Sequence, residues 1–359
     1  MKVAIIGAAH PHVDYALTEV AARPGVELVA GCEPNEQLRR TYLPSDIPHY
    51  DTAEALFDAH EVDVALVAGV YTRRGADSLL ALQAGAHVLA DKPLCTSLDE
   101  LEEIAAAADQ AGRHVSVVFE KRFYPPTLAA RRLLADGVLG DLAMVASTGP
   151  HKLNQSSRPP WFLTRDGYGG IAGDLPVHDI DLVLALTGAR AGTVHAYTGN
   201  ARRADHPDFD DHVAVLLQAG PVSATIEASW LSPQAADVHG HYRMRLTGSA
   251  GTAELDWAYN TLTVATHDRA PWLESLPEPQ RPAAYFFDAV LSGAEPEIST
   301  AASLLATRVA LLAQHSADHQ HHRGVVKVLV DLVHLQHDVV GHLGLGQQHV
   351  HVSRQPARH

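Results

Sequence analysis

Cysteine is nearly absent from this chain: Cys32 and Cys95 are its only two in 359 residues. So sparse a pair builds neither a disulfide framework nor a thiolate metal centre, and a reducing cytoplasm is the expected setting. No metal is expected. Basic residues are also short. Lys and Arg number 27 against 42 Asp and Glu, a formal charge of −15, which leaves no surplus to neutralise phosphates and argues against nucleic acid as a partner. A local basic pocket remains compatible with that balance. No run of about 18 uninterrupted apolar residues occurs, so neither a membrane span nor a membrane partner is expected. The apolar run in Met1–Gly7 is too short for a signal peptide, and His10-Pro11-His12 follows at once. What remains is ordinary globular material. Hydrophobic residues make up 46%, enough for a real core, and the length suits two domains or one large one.

From residue 2 to about 118 short apolar runs alternate with helical patterns. Val3–Ile6, Leu28–Cys32, Val64–Val67, His87–Ala90 and Val115–Phe119 read as buried strands. Pro11–Ala22, Glu36–Tyr42, Asp77–Gln83 and an alanine-rich stretch ending near Gly112 read as helices. Asp51-Thr-Ala-Glu54 and Ser97-Leu-Asp-Glu100 look like capping boxes opening two of the helices. Such alternation predicts an α/β domain with a parallel, doubly wound sheet over residues 1–120. From about 119 the grammar changes. Glu120–Pro126 breaks the alternation and Thr127–Ala135 is one more helix. Strand-like runs follow at Leu142–Ser147, Thr193–Tyr197, Val213–Gln218, Ser223–Ser229, Tyr242–Thr247, Thr252–Leu255 and Leu262–Thr266. Gly220-Pro221 and Gly248–Gly251 suit hairpin turns. Residues 121–330 therefore read as an α+β domain with a large, mostly antiparallel open sheet. Its helices are expected near Gly169–Gly188, Ala283–Leu291 and Ala301–Ala313. One face of such a sheet often stays apolar and pairs with another subunit. Residues 331–359 form a tail in a region where ten of the 24 histidines lie between His315 and His359. It reads as a solvated variable tail, a weak metal-binding tract or a shifted reading frame.

Parallel sheets bind ligands beyond the carboxyl ends of their strands. Gly7, Glu33, Gly69 and the Asp91-Lys92-Pro93 corner should therefore face one crevice. The first turn, Gly7-Ala8-Ala9-His10-Pro11-His12, keeps only the first glycine of the dinucleotide fingerprint G-x-G-x-x-G. Ala9 still permits a pyrophosphate near the helix N-terminus. His12, in place of the last glycine, must find room between helix and strand. Glu33 stands where an acidic residue hydrogen-bonds ribose hydroxyls and would repel a 2′-phosphate. NAD is thus favoured, with NADP left open by Arg39 and Arg40. A lysine at a strand's carboxyl end, such as Lys92, points into the crevice. Near a cationic nicotinamide ring it would lose its proton more easily. In Gly169–Gly188, Asp174 and His178 lie four apart and would share a helix face. Either the pair does acid–base work, or Asp174 merely N-caps the helix and His178 is a half-buried structural residue.

With these pieces in place, the chain resembles the glucose–fructose oxidoreductase, inositol dehydrogenase and rhizopine-catabolism (Gfo/Idh/MocA) family. The likeness runs from residue 1 to about 328. Val3–Gly7, the Ala84–Leu94 stretch with its acidic-Lys-Pro end, Arg122-Phe123-Tyr124-Pro125 and the glycine run followed by Asp174-x-x-x-His178 carry it. The resemblance implies a Rossmann domain and an open-sheet domain whose face forms a homodimer or homotetramer. It implies an NAD(P)-dependent dehydrogenase moving hydride between a secondary hydroxyl of a sugar, cyclitol or polyol and nicotinamide, with Lys92, Asp174 and His178 catalytic. Gly69-Val70 replaces the usual Thr-Pro, and Arg74 stands near an expected histidine. Gly7, Ala9, His10, His12, Glu33, Gly69, Val70, Arg74, Asp91, Lys92 and Pro93 are the expected cofactor residues. Arg122, His151, Lys152, Asn154 and Trp161 are the candidates for substrate contact. NAD-assisted glycoside cleavage and a non-catalytic dinucleotide or sugar binder are the alternatives.

Overall fold

The computed structural model describes residues 1–320 and the backbone of residues 328–331. Six strands come first: β1 (Lys2–Ile6), β2 (Glu27–Cys32), β3 (His49–Tyr50), β4 (Val64–Val67), β5 (His87–Ala90) and β6 (Val115–Val117). They pair in parallel in the order β3-β2-β1-β4-β5-β6. Helices pack on the sheet, so its central strands are continuously apolar rather than alternating. Val3, Ala4, Ile5 and Ile6 are all at most 1% exposed. The order reverses between β1 and β4, which opens a crevice at their carboxyl ends.

Local chemistry explains most boundaries. Ser97 accepts the Glu100 N–H at 3.2 Å, and the Glu100 carboxylate accepts the Thr96 N–H at 3.2 Å. Ser97 caps the helix as Ser97-x-x-Glu100 predicts, while the Glu100 carboxylate reaches one residue further back, to Thr96 instead of the N–H of Ser97. The other capping box shifts by one residue: Thr52, not Asp51, caps Ala53–Ala59 by accepting the Ala55 N–H. β3 is two residues long and shows no period in the sequence.

Among the described residues the second sheet has nine strands. They are β7 (Leu142–Pro150), β8 (Ala191–Gly199), β9 (His212–Ala219), β10 (Val222–Ser229), β11 (Arg243–Gly248), β12 (Gly251–Asp256), β13 (Thr261–Thr266), β14 (Arg269–Leu273) and β15 (Val328–Asp331). Their order is β14-β13-β12-β11-β7-β10-β9-β8-β15, and among the described residues only β7 and β10 pair in parallel. Alternation is clear here. In β9, Val213, Val215 and Leu217 are buried while Leu216 is 56% exposed. The helices Val177–Thr187 and Thr300–Gln320 lie against this sheet. The expected tail beyond Asp331 lies outside the described residues.

The last two helices tie the domains together. Ala284–Ser292 returns to the first domain, where Phe286 and Phe287 join the core of Val3, Ile5 and Leu66. Thr300–Gln320 packs on β8, on the helix Leu98–Ala111 and beside β6. Its Thr300 and Ser303 hydroxyls accept the N–H groups of Val115 and Val117, so the open edge of the first sheet is covered. The sequence pattern assigns these helices to residues 121–330; Ala284–Ser292 packs on the first domain, and Thr300–Gln320 on both sheets.

Candidate active site

Asp91-Lys92-Pro93 leaves β5 at the crevice, with a cis Lys92–Pro93 peptide bond. Lys92 reaches across to the second domain, and its Nζ lies 2.5 Å from Asp174 Oδ1, both side chains being buried. The single helix expected over Gly169–Gly188 is broken in two, Ile171–Asp174 and Val177–Thr187. Pro176, which has no N–H to continue a helix, stands at the break. The break corrects the capping reading: Asp174 closes the first helix and caps nothing, and of the two nitrogens it could orient it contacts that of Lys92. The Tyr71 hydroxyl also donates to Asp174 Oδ1, at 3.2 Å. Tyr168 stacks on Tyr71 and accepts the Trp230 Nε1–H at 2.9 Å. Burial alone would push the Asp174 carboxyl up, but the Lys92 ammonium outweighs it and holds the group below the usual carboxylate range.

His178 opens the second helix and is 3% exposed. Its Nδ1 lies 3.3 Å from Glu120 Oε2, and neither atom has a hydrogen-bond partner among the described residues. Burial first, then the Lys92 and Lys121 ammonium groups, hold the imidazole well below its usual range. A neutral imidazole, a carboxylate and an ammonium thus meet where the two domains face each other. Such a set can accept a proton at one atom while stabilising negative charge at another.

The cofactor side is built by backbone contact. Gly7 has φ +75°, and a Cβ there would meet Gly69 Cα at 2.2 Å. The first and fourth turns therefore touch main chain to main chain, and the Ala9 N–H donates to Ala68 O at 2.8 Å. Val70 leads from the fourth turn into a short 3-10 turn at Tyr71–Arg73. Glu33 ends β2 as expected, but its carboxylate accepts the Ala8 N–H at 2.6 Å and the Asn35 N–H at 2.9 Å. It braces the turn, with lone pairs left over for a ribose hydroxyl. Arg74 is fully buried. It donates to Gly69 O, to Lys92 O and to Asp91 Oδ2, and lies 4.5 Å over the Tyr71 ring. This corrects the cofactor contact expected of Arg74: its donors tie the fourth turn to the end of β5. The His12 ring turns to Asp91, its Nδ1 lying 2.9 Å from Oδ1, while His10 Nδ1 lies 3.1 Å from Oδ2. The tight first turn, the switch point and an acidic residue ending β2 suit a dinucleotide.

The substrate candidates divide. Arg122 is a correction. Its Nε and Nη2 fork onto both oxygens of buried Asp181, at 2.7 and 2.5 Å, so its charge is committed to an ion pair of the fold. Lys152 donates to Ala236 O at 2.5 Å, and Asn154 is an exposed turn residue with φ +49°. Neither faces the Lys92–Asp174 pair through a contact. His151 packs its ring on Trp230, His239 and Tyr242 and hydrogen-bonds Gly149 O. Trp161 packs edge-on against Tyr71. Sequence reasoning missed Tyr71, Tyr168 and Glu120. Only the position of Glu120 directly after the last parallel strand signalled a site residue; the two tyrosines carry no local pattern.

Both domains have known relatives. A family model described as oxidoreductase family, NAD-binding Rossmann fold, matches residues 1–119, and one described as GFO/IDH/MocA C-terminal domain matches residues 127–254. A relative from Amycolatopsis mediterranei, named for the oxidoreductase subunit of a UDP-kanosamine synthase, is 29% identical over 71% of this chain and 75% of its own length. The trans-1,2-dihydrobenzene-1,2-diol dehydrogenase of Bos taurus is 29% identical over 58% of this chain and 60% of its own. The chain spans about half the length of most curated relatives it matches. The solved structure of an oxidoreductase-type protein from Thermotoga maritima superposes with TM-score 0.84 over 92% of this chain and 100% of that one, at 22% identity. Fold, first domain and C-terminal domain thus converge: the chain belongs to the GFO/IDH/MocA family of oxidoreductases, with an NAD-binding Rossmann domain.

Proposed function

We propose that this protein is an NAD-dependent dehydrogenase that oxidises a secondary hydroxyl of a sugar, cyclitol or related polyol, or reduces the matching ketone. The observation that carries the reading is the Lys92–Asp174 pair: an amine from the first sheet meets a carboxylate from the second domain beside a neutral His178. A nicotinamide bound in the crevice supplies the hydride chemistry. The chain's own residues handle the proton. Neutral His178 accepts it from the hydroxyl. Lys92 donates a hydrogen bond to the oxygen as its charge grows, and Asp174, with Tyr71 behind it, holds the ammonium in place. Gly7, Ala9, Glu33, Gly69 and the Asp91–Pro93 corner would line the dinucleotide site. His151 and Trp161 remain the substrate-side candidates, because a polyol needs several partners for its hydroxyls. The diol dehydrogenase named among the relatives favours a CH–OH substrate.

The bare face of the second sheet supports self-association. Met144, Tyr197 and Leu216 are more than half exposed, and Tyr197 and Leu216 line a hollow of about 880 Å³ rimmed by Glu227, Arg243, Arg245 and Glu254. An apolar patch on a sheet suits a second copy of the chain. Fluorescence titration with NAD and NADP, followed by a polyol panel read at the NADH absorbance, tests the reading. NAD binding with NADH formation is expected. Binding without turnover of any polyol would overturn it and favour a non-catalytic binder.

A further inference from the structure

His10 and His12 bring two imidazoles to a single carboxylate. Asp91 Oδ1 accepts the Lys92 N–H at 2.8 Å and Oδ2 accepts Arg74 Nη2–H at 3.0 Å. Each carboxylate oxygen has about two acceptor positions, so one is left on each. His12 Nδ1 addresses Oδ1 at 2.9 Å and His10 Nδ1 addresses Oδ2 at 3.1 Å. The ligand atoms of the three residues all lie within 4.8 Å of one another, and the two rings meet edge to face at 4.2 Å. His10 Nδ1 also receives the His12 N–H at 3.4 Å.

Charge in the neighbourhood points the same way. Asp91, Asp174 and Glu120 are buried together with Arg74 and Lys92. Arg74 serves Asp91 and Lys92 serves Asp174. Glu120, 7% exposed, has no permanent cation, and its Oε2 has no hydrogen-bond partner among the described residues. The His12 ring lies 6.4 Å from that of His178, the residue beside Glu120. Two imidazole nitrogens and a carboxylate oxygen converge beside this acidic neighbourhood.

We propose that His10, His12 and Asp91 form a binding site for a divalent transition cation of the zinc class. Two imidazoles and one carboxylate are a ligand set for such ions and leave positions open for water or an oxygen donor. The second shell is built as well: Arg74 and the Lys92 N–H hold the carboxylate in orientation. The site needs neither the dehydrogenase reading nor a bound dinucleotide.

The test uses the full chain, stripped by a chelator and titrated with Co(II) alone, read by its visible ligand-field absorption. Ten histidines lie from His315 onward, and any Co(II) that they bind is common to both proteins. The reading is therefore the difference between the native chain and the double variant His10→Asn, His12→Asn. The expected result is one more equivalent bound by the native chain, with the intense band of a site of low coordination number. Superimposable titrations would overturn the proposal. Should the variant fail to fold, anomalous diffraction at the zinc edge decides on native crystals soaked in Zn(II). A peak bonded to His10, His12 and Asp91 supports the site, and zinc found only elsewhere overturns it.

Discussion

Two sets of buried ion pairs join the domains, and they are finished differently. Lys121 and Arg122 leave the end of the first sheet and close on Asp179 and Asp181. Lys121 Nζ spans both Asp179 oxygens at 2.9 and 2.8 Å and lies 4.8 Å over the Trp257 ring, while Ser147 donates to the same carboxylate. Arg122 is bidentate on Asp181. Every charge there is satisfied. A few residues away, Lys92 contacts one oxygen of Asp174, and His178 Nδ1 and Glu120 Oε2 stand without hydrogen bonds. Closed pairs position a structure, whereas incompletely satisfied ones are groups held ready for a ligand. The same residue types in neighbouring stretches thus divide between holding the domains and doing chemistry.

Breaking a closed pair should damage the fold most. Arg122→Ala leaves the Asp181 carboxylate buried and unpaired, a loss of about 3–5 kcal/mol. Denaturant unfolding would show it as a lower midpoint, with remaining activity per folded molecule near native. The open set should behave in the opposite way. Lys92→Ala and His178→Ala are each expected to lower kcat by about 10²-fold or more, with NAD affinity changed little, as steady-state kinetics and a cofactor titration would report. Near-native turnover in either variant would erase the contrast.

The pH profile sharpens it further. His178 must be neutral to accept a proton, and burial with the Lys92 and Lys121 charges holds its imidazole well below the usual value. Protonation that would disable the base is thereby moved to lower pH. The kcat of oxidation should stay flat through the ordinary imidazole range near pH 6.5 and fall only in more acid solution. A limb centred near 6.5 would place the base elsewhere. The smallest effect belongs to Asp77, whose carboxyl burial pushes up to about 6. Its folded form binds a proton more readily than the unfolded chain. Stability should therefore fall as pH rises from about 4 to about 6 and level off above. Asp77→Asn should remove that slope and raise stability at neutral pH by roughly 1 kcal/mol, visible in Tm against pH.

The fold was largely legible because its signals are local. Buried parallel strands such as Val3–Ile6 read as unbroken apolar runs, and β9 and β10 alternate residue by residue. What the pattern missed depends on distant partners. β14, Arg269–Leu273, is mostly exposed and carries no period. The helix break at Leu175-Pro176 competes with a strong helical repeat, and the proline decides it. In the site, Lys92, Asp174 and His178 stand out by motif and position. Arg122 looked equally available from its sequence, and only the carboxylate of Asp181 against it shows that its charge is committed to an ion pair. Tyr71 enters through a hydrogen bond to a residue more than a hundred positions away, a contact no local spacing encodes.

The account rests on one hydroxyl oxygen shared by two nitrogens from different domains. A crystal structure of the protein with NADH and a polyol it turns over tests that directly. The account predicts one hydroxyl oxygen within about 2.6–3.2 Å of both Lys92 Nζ and a His178 ring nitrogen, beside the nicotinamide. A polyol held away from either nitrogen, with its reacting carbon still against the nicotinamide, would contradict it.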